Sequence, residues 1–352
     1  MMHDAARRVA VACSDKFRGT LTALEATEAI ACGLRAAGFD EVRMAPLADG
    51  GEGTLDVLLA ARGGSRRTAR VTGPLGDPVD AAWGLLPDGT AVIEMAQASG
   101  LALTGGRNDA LRASTRGTGE LIEAAGLSGA RRFLVTVGGS ATTDGGMGAL
   151  EVLRWSLGGR EMVVACDVTT PFLDAARVYG PQKGATAAQV ALLSRRLEQL
   201  EQEYRVRTGV DVTQIAGAGA AGGLGGGLAA IGAKLRPGFE IVAEELGFAD
   251  VLADAAVVVT GEGRFDATSF DGKVVGCVLA WARDEGVPHR CVIAGQVAAG
   301  IADEVVQKVG EGVLVLALTD RVWQSGEAFT RAPLLLEEAA AEAGRWALGT
   351  VA

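Results

Sequence analysis

The chain of 352 residues has two histidines and five cysteines, and this scarcity argues against several kinds of site. His3 lies in the N-terminal segment and His289 follows a proline, so a histidine metal cluster and a Ser-His-Asp triad are close to excluded. The cysteines show no Cys-x-x-Cys spacing, which argues against zinc and redox motifs. A general base must then be a carboxylate, a lysine or a cysteine. The 43 acidic residues favour a carboxylate.

Aromatic residues, long apolar runs and net positive charge are also scarce. The aromatic fraction is 5%, which predicts aliphatic cores of the kind found in helix-covered parallel sheets. No apolar run is as long as the roughly 18 residues that suggest a membrane span, and the N-terminus lacks a signal-peptide core. The net charge of −10 argues against a nucleic-acid partner. Together with the unpatterned cysteines, these absences predict a cytoplasmic protein that binds neither nucleic acid nor membrane.

Glycine, by contrast, is abundant, with 51 residues placed mainly where apolar runs end. The first stretch reads as strand, helix, strand and helix, and the same alternation returns from about Glu244. The region 68–95 between them reads as antiparallel hairpins. This order predicts an α/β protein in which both chain ends form one domain and the middle is inserted. A cleft between the two domains is then the expected ligand site.

Several polar segments follow the predicted strands, where ligands of α/β proteins collect. The most informative is Val257–Lys273, in which an apolar strand is predicted to stop at a Gly-x-Gly turn. Glu262, Arg264, Asp266, Ser269 and Lys273 follow it within twelve positions. The other segments are Ser14–Thr20, Asp49–Thr54, Gly138–Gly146, Cys166–Pro171 and Gly180–Gly184. Each one taken alone is also compatible with an ordinary capped or solvated turn.

The segment Gly217–Gly227 contains Gly-x-Gly-x-x-Gly at Gly217, Gly219 and Gly222. The preceding Asp211–Gln214 is too polar for the strand of a dinucleotide fold, so this fingerprint is weak. A loop that cradles phosphate and a glycine-rich helix packed against a neighbour both remain open. There is no Walker A motif, because Val274 follows Lys273 where a serine or threonine is required.

Taken together, the segments contain backbone donors, carboxylates and cations, which is the set of groups that phosphoryl transfer needs. Carboxylates can hold Mg²⁺, cations and N–H dipoles can bind phosphates, and an acidic residue can take a hydroxyl proton. These residue types do not identify the acceptor. One alternative from another class stays open here, an NAD(P)-dependent hydroxyacid oxidoreductase, which the Gly-x-Gly-x-x-Gly pattern suggests.

In their order along the chain, the motifs resemble those of the bacterial type-1 glycerate kinase family (glycerate 2-kinase). The stretches that carry the resemblance are Asp15–Thr20, Ala48–Thr54, Ala91–Leu101, Ser114–Leu121, Gly138–Gly148, Ala165–Pro171, Gly180–Thr186, Gly217–Gly225, Lys234–Val242 and Thr260–Lys273. The resemblance implies ATP-dependent phosphorylation of D-glycerate to 2-phospho-D-glycerate. It also implies a discontinuous flavodoxin-like domain, 1–64 and 250–352, and an inserted mixed α/β domain, 65–249, with a restriction-endonuclease-like fold.

On this basis each candidate residue is given an expected role. The expected catalytic residues are Asp167, Asp266, Lys183 and Arg18, and the choice of base between Asp167 and Asp266 stays open. The expected substrate-binding residues are Asp15, Ser140, Asp144, Arg264 and Lys273. The expected magnesium ligands are Asp49, Glu52 and Asp167. The residues expected against ATP are Gly217, Gly219, Gly222, Gly223 and Gly225.

The chain departs from the family pattern at three places. Arg18 stands where the family usually has lysine, which keeps the charge but changes a point charge into a planar fork. Thr170 replaces an asparagine, and the segment 148–162 is shorter than in the family. The shortened segment keeps a further alternative open, a non-catalytic protein that binds glycerate or nucleotide. The sequence leaves open whether the 2- or the 3-position is phosphorylated. The oligomeric state is open as well, with a homodimer as one option.

Overall fold

The computed structural model describes residues 8–322 and 325–350. Its strands are β1 (Val9–Ser14), β2 (Glu41–Pro46), β3 (Ser65–Thr72), β4 (Pro78–Leu85), β5 (Thr90–Glu94), β6 (Arg132–Thr136), β7 (Glu161–Ala165), β8 (Lys234–Arg236), β9 (Ala255–Phe265), β10 (His289–Val297) and β11 (Val313–Ala317).

The helices are α1 (Ala23–Ala37), α2 (Thr54–Arg62), α3 (Ala96–Ser99), α4 (Arg116–Leu127), α5 (Met147–Val152), α6 (Ala175–Tyr179), α7 (Ala187–Thr208), α8 (Ala220–Ala230), α9 (Gly238–Glu245), α10 (Phe248–Leu252), α11 (Val274–Asp284), α12 (Ile301–Val309), α13 (Ser325–Thr330) and α14 (Ala332–Ala347). Among the described residues, no helix is both long and apolar enough to span a membrane.

The chain divides into two compact units. The first consists of the residues up to Asp49 together with those from Val242 onward, and the second is Gly50–Ile241. The sequence places these boundaries at 64/65 and 249/250 instead. Helix α2 belongs to the second unit, where Leu55 lies against Gly84 of β4; an alanine Cβ at Gly84 would be 2.4 Å from the Leu55 Cδ1. The apolar face of α2 therefore covers the second sheet, and periodicity alone does not indicate which sheet a helix covers.

The first unit contains a five-stranded parallel sheet in the order β11-β10-β9-β1-β2. Numbered by their succession within this unit, the strands follow the order 2-1-3-4-5 of the flavodoxin-like fold, in which ligands bind near the switch between the first and third strands. Helices α1 and α14 pack together and cover the core around Ile30, Leu34 and Leu336. The start of α1 is confirmed as a capping box formed by Thr22 and Glu25.

The second unit contains a six-stranded mixed sheet in the order β3-β4-β5-β6-β7-β8. Strands β3, β4 and β5 pair antiparallel, as the hairpin turns predict, whereas β5 to β8 pair parallel. The core under this sheet includes Trp83, Phe133 and Leu228. The predicted α/β class, with one parallel and one mixed sheet, is therefore confirmed.

The prediction that the strand before Lys273 stops at Thr260 is wrong. Strand β9 continues through Gly261 and Gly263 to Phe265, because it keeps pairing with β10 over that length. An alanine Cβ at Gly261 would lie 2.5 Å from the Ile293 carbonyl oxygen and 3.0 Å from the Phe17 ring. The glycine is thus needed for close packing inside the sheet, where the sequence suggested a turn.

Candidate active site

A cavity of about 380 Å³ opens in the first unit. The residues that line it come from the segment after β1, from Asp49, from the ends of β9, β10 and β11 and the segments that follow them, and from α13 and α14. Its lining residues are Asp15, Lys16, Phe17, Arg18, Thr20, Asp49, Glu262, Gly263, Arg264, Asp266, Lys273, Gly295, Gln296, Leu318, Thr319, Ala328, Phe329 and Ala332. The cavity therefore lies at the carboxyl edge of the parallel sheet, beside the switch between β1 and β9, where flavodoxin-like folds bind ligands.

Six of the predicted site residues meet in this cavity: Asp15, Arg18, Asp49, Arg264, Asp266 and Lys273. Burial, together with the neighbouring Asp49 carboxylate, raises the pKa of Asp15 to about 6, although Lys16 and Arg18 act in the opposite direction. The Asp15 Oδ1 accepts a hydrogen bond of 2.7 Å from the Lys16 backbone N–H. Two carboxylates crowded in this way repel each other, and a bound cation would relieve that repulsion.

Glu262 is the most buried carboxylate that lines the cavity, with an exposed fraction of 8%. Its Oε1 has no hydrogen-bond partner among the described residues. Burial is the main cause that raises the pKa of Glu262 to about 7, and the nearby charges of Asp15 and Asp266 raise it as well. A hydrogen bond from Ser269 and the positive charge of Lys273 act in the opposite direction and lower this pKa. Sequence reasoning noted Glu262 but assigned it no role. A glutamate at the carboxyl end of a buried strand is a signal that could have identified it.

Asp266, by contrast, has both oxygens engaged. Its Oδ1 accepts hydrogen bonds from the Thr268 backbone N–H at 3.0 Å and from the Thr268 hydroxyl at 2.7 Å, and Oδ2 accepts one from Arg264 Nε at 3.2 Å. These hydrogen bonds, with Lys273 and Arg264 nearby, hold the pKa of Asp266 below its usual value. Lys273 donates to the Thr268 hydroxyl at 2.6 Å. Asp266 therefore caps a turn and is a weak proton acceptor.

The remaining predicted residues belong to the second unit. Asp144 holds the glycine-rich loop after β6 in place through four hydrogen bonds. Its Oδ2 accepts from the Thr115 N–H at 2.8 Å, from the Thr115 hydroxyl at 2.9 Å and from the Gly148 N–H at 3.3 Å. Its Oδ1 accepts from the Gly146 N–H at 3.1 Å. This carboxylate joins the starts of α4 and α5. Its expected contact with substrate stays a prediction.

Lys183 is buried next to this loop, with 2% of its surface exposed. Its Nζ donates to the Thr142 carbonyl oxygen at 2.6 Å. Burial lowers the pKa of Lys183 to about 7, against the favourable charge of Asp144. A lysine in this position changes its charge within the physiological pH range, and such a group is a candidate for function with a physical rationale.

Asp167 and Ser140 lie at the carboxyl ends of two neighbouring strands of the same sheet. Asp167 follows β7, and its Oδ1 accepts a 2.6 Å hydrogen bond from the Gly238 N–H at the start of α9. Ser140 follows β6 and forms an antiparallel bridge with Gly100. Both residues are half-buried. Their catalytic and substrate-binding roles stay predictions.

The glycine-rich segment is a kinked helix, α8, in which residues 221–223 adopt left-handed conformations. An added Cβ would lie 2.0 Å from the Thr142 oxygen at Gly222 and 2.8 Å from the Gly145 Cα at Gly223. The preceding residues, Val212–Gln214, form a 3-10 turn rather than a strand, so the dinucleotide fingerprint lacks its structural context. These contacts explain Gly222 and Gly223 by chain-against-chain packing. Their contact with a nucleotide stays a prediction.

The predicted magnesium ligands are divided between the units: Asp49 belongs to the first, and Glu52 and Asp167 to the second. Within residues 8–322 and 325–350, no group of three His, Cys, Asp or Glu side chains could hold a metal ion by itself. Mg²⁺ in kinases commonly takes one or two carboxylates and completes its shell with phosphate oxygens and water. The crowded carboxylates beside Asp49 fit that kind of binding.

Comparison with known proteins identifies the family. The model of the glycerate kinase family matches residues 10–161 and 152–348, and the chain belongs to this family. The two matched stretches overlap in the segment where the sequence predicts a shortening. Relatives include the glycerate 2-kinase of Escherichia coli, 41% identical over 301 residues, which cover 75% of this chain and 79% of that protein. The glycerate kinase of Halalkalibacterium halodurans is 39% identical over 367 aligned positions, covering 94% and 96% of the two chains.

A solved structure agrees with this assignment. The crystal structure of a protein assigned as glycerate kinase 2 from Salmonella typhimurium superimposes with a TM-score of 0.82 and 34% identity, covering 97% of this chain and 98% of that one. The protein is therefore an enzyme of the glycerate kinase class, a phosphotransferase that phosphorylates an alcohol group of glycerate. The kinase prediction is confirmed over the oxidoreductase and the non-catalytic alternatives.

Sequence reasoning missed part of the cavity wall. Gln296 at the end of β10, Thr319 after β11 and Phe329 in α13 line the cavity but were not predicted. The first two follow apolar strands, so the rule that ligands collect at strand ends could have identified them. Phe329 comes from a helix far along the chain, and no local pattern indicates that it lies near Asp15.

Proposed function

We propose that this enzyme transfers the γ-phosphoryl group of ATP, with Mg²⁺, to the 2-hydroxyl of D-glycerate and yields 2-phospho-D-glycerate. The observation that carries the proposal is the cavity at the carboxyl edge of the first sheet. There, carboxylates and cations face one space at the switch point of a flavodoxin-like fold. The relatives named glycerate kinase and glycerate 2-kinase support the acceptor and the position.

The cations of the cavity suit the anionic groups of the two substrates. Arg18 and Arg264 are exposed, and Lys273 is half-buried at the start of α11. An arginine fork can bind a carboxylate or a phosphate through two parallel hydrogen bonds, whereas lysine acts as a point charge. We infer that these three side chains neutralise the glycerate carboxylate and the phosphates. Lys183, Ser140 and Asp144, which belong to the second unit, stay proposed catalytic and substrate-binding residues on the family resemblance.

Asp49 is the proposed Mg²⁺ ligand of this cavity, and Glu52 and Asp167, which belong to the second unit, stay proposed ligands on the family resemblance alone. When bound, the ion neutralises charge on the phosphate oxygens. The chain itself supplies the surrounding field, because Asp15 and Asp49 already repel each other in the cavity. Adding Mg²⁺ to the free enzyme should therefore lower the pKa of Asp15 from about 6, and NMR of the carboxyl carbon can follow this change.

A coupled assay tests the function directly. ADP release is measured with D-glycerate, ATP and Mg²⁺, and the product is examined by phosphorus NMR. We expect ADP release that depends on D-glycerate and a resonance of 2-phosphoglycerate. Reactions without glycerate and with L-glycerate are the controls. Release of ADP at the same rate without glycerate, or a 3-phosphoglycerate product, would contradict the proposal.

A further inference from the structure

We propose that Glu262 is the catalytic base, which takes the proton of the acceptor hydroxyl, and that glycerate is therefore phosphorylated while bound in the cavity of the first unit. This inference rests on the proposed function and assigns the base within it. The first observation is geometric. Glu262 lies near the end of β9, lines the cavity, has 8% of its surface exposed and has an Oε1 without a hydrogen-bond partner among the described residues.

An unpartnered carboxylate oxygen at this depth costs stability. Burying a polar atom without a hydrogen bond is unfavourable, and burying a charged one is more so. The carboxyl has a hydrogen bond from Ser269 and the charge of Lys273 nearby, but within residues 8–322 and 325–350 no donor reaches Oε1. A hydroxyl group of a bound substrate would supply the missing donor, and the same contact would place that proton on the oxygen that must receive it.

The electrostatic surroundings agree with this role. Burial is the main reason that the pKa of Glu262 rises to about 7, and the carboxylates of Asp15 and Asp266 raise it further against Lys273 and Ser269. A general base works best when its pKa is near the working pH, because it is then unprotonated often enough and still binds a proton well. The other charged side chains that line this cavity are Lys16, Arg18, Asp49 and Arg264.

The rival carboxylates are less suited. Asp266 accepts hydrogen bonds on both oxygens, and its pKa is lowered. Asp167 accepts a short hydrogen bond from the Gly238 N–H. Asp15 is the nearest competitor, since its pKa is also raised, but its Oδ1 accepts the Lys16 N–H. Glu262 is the carboxylate whose deep burial, open oxygen and cavity position coincide.

The proposed step is an in-line transfer of the γ-phosphoryl group from ATP to the glycerate hydroxyl. The glycerate hydroxyl oxygen attacks the γ-phosphorus of ATP, and a new O–P bond forms. The bond between that phosphorus and the bridging oxygen breaks, and its electron pair leaves with ADP. The hydroxyl proton goes to the Glu262 carboxylate, which later releases it to solvent. No redox change takes place, and ATP is the only co-reactant.

The test compares Glu262→Gln with wild type and with Glu285→Gln, an exposed glutamate of the same unit. Glutamine keeps the shape but is not a base, so kcat should fall by about 10²- to 10⁴-fold while the KM values for ATP and glycerate change little. Glu285→Gln should leave both unchanged. Glu262→Asp keeps a base at a shorter reach and should retain more activity than Glu262→Gln. It also tests the proposal if the glutamine variant fails to fold.

The pH profile separates a base from a merely structural residue. In wild type, kcat/KM should fall as the pH drops below about 7, because Glu262 becomes protonated. In the residual activity of Glu262→Gln this decline should be absent. A decline that persists in Glu262→Gln but vanishes in Asp15→Asn would assign the proton to Asp15 and overturn the proposal. Wild-type turnover in Glu262→Gln would overturn it too.

These outcomes are distinct from failure of the proposed function. If wild type releases no ADP with D-glycerate, the kinase proposal fails first, and the assignment of the base fails with it. If wild type is active and Glu262→Gln is equally active, the kinase proposal stands and the base lies elsewhere. A loss confined to KM would mean that Glu262 binds substrate without taking the proton, which also overturns the assignment.

Discussion

Replacing Lys183 by methionine should make the protein more stable and less active at the same time. Lys183 is 2% exposed, and its Nζ has one hydrogen bond, of 2.6 Å, to the Thr142 carbonyl oxygen among the described contacts. Methionine has a similar length and no charge to desolvate. Replacing a buried charge by an apolar side chain of similar volume is often neutral or stabilising by about 1–4 kcal/mol.

The magnitude follows from the pKa of Lys183. Its fall from 10.5 to about 7 corresponds to about 5 kcal/mol, at about 1.4 kcal/mol for each pKa unit. The variant loses the hydrogen bond to Thr142, which is worth about 1 kcal/mol. Relaxation around the charge reduces the gain further, so we expect Lys183→Met to be more stable than wild type by about 1–3 kcal/mol at pH 7.

The sign of the pH dependence follows from proton binding. Between about pH 7 and 10.5 the unfolded chain keeps the lysine protonated while the folded chain releases the proton. The unfolded state then binds more protons, so this group makes stability rise with pH in that window. Its destabilising effect is complete below about pH 7. The rise should be smaller in Lys183→Met than in wild type.

Urea denaturation followed by circular dichroism at pH 7, 8, 9 and 10 measures these free energies of unfolding, and the ADP-release assay measures activity. Lys234→Met, at an exposed lysine of the same unit, is the control and should change stability little. A Lys183→Met variant that is less stable than wild type at pH 7 would refute the electrostatic reasoning. Full activity in a stable Lys183→Met variant would refute the catalytic role of Lys183.

Three further predictions concern the second unit. Gly222→Ala should lower the free energy of unfolding by about 2–5 kcal/mol, because φ is +68° and the new Cβ would clash with the Thr142 oxygen. The control Gly209→Ala, where φ is +76° but the space is open, should lower it by only about 1 kcal/mol. Equal losses of the two variants in urea denaturation would contradict the packing argument. Asp144→Asn should lower the thermal unfolding midpoint, because weaker hydrogen bonds from the loop would reduce the free energy of unfolding by about 2 kcal/mol. Unchanged stability with a raised KM for glycerate would instead support a role of Asp144 in substrate binding. Glu94 accepts hydrogen bonds at the start of α2, from the Gly53 N–H at 2.9 Å and from the Leu55 N–H at 3.0 Å, so Glu94→Ala should destabilise the first turn of this helix. Hydrogen exchange of the Leu55 amide should then be faster than in wild type. An unchanged exchange rate would contradict the prediction.

Much of the fold could be predicted from local patterns. The capping box at Thr22, the alternation of short apolar runs with helices, and the hairpin turns near residue 74 are set by neighbours in sequence, so they can be recognised without the fold. The extension of β9 through Gly261 could not, because a glycine in a strand is favoured only by what packs on it. In this case that is the Phe17 ring from a distant part of the chain.

The candidate site shows the same division. Sequence motifs placed Asp15, Asp49 and Lys273 among the ligand-binding residues, and all three line the cavity. The motifs gave a catalytic role to Asp266 and none to Glu262, although both are acidic residues after the same apolar run. Their difference arises from hydrogen bonds and burial: Asp266 accepts hydrogen bonds from Thr268, whereas the buried Glu262 Oε1 has no partner in the part of the chain that the structure describes.

By itself, the sequence determined the family and the α/β class, because residue types and ordered motifs are properties of the chain alone. Tertiary structure decided which carboxylates have raised or lowered pKa values, which glycines serve packing, and which unit contains helix α2. Those properties depend on desolvation and on contacts between residues far apart in the chain. Glu262 and Lys183 owe their shifted pKa values to burial that only the folded chain creates.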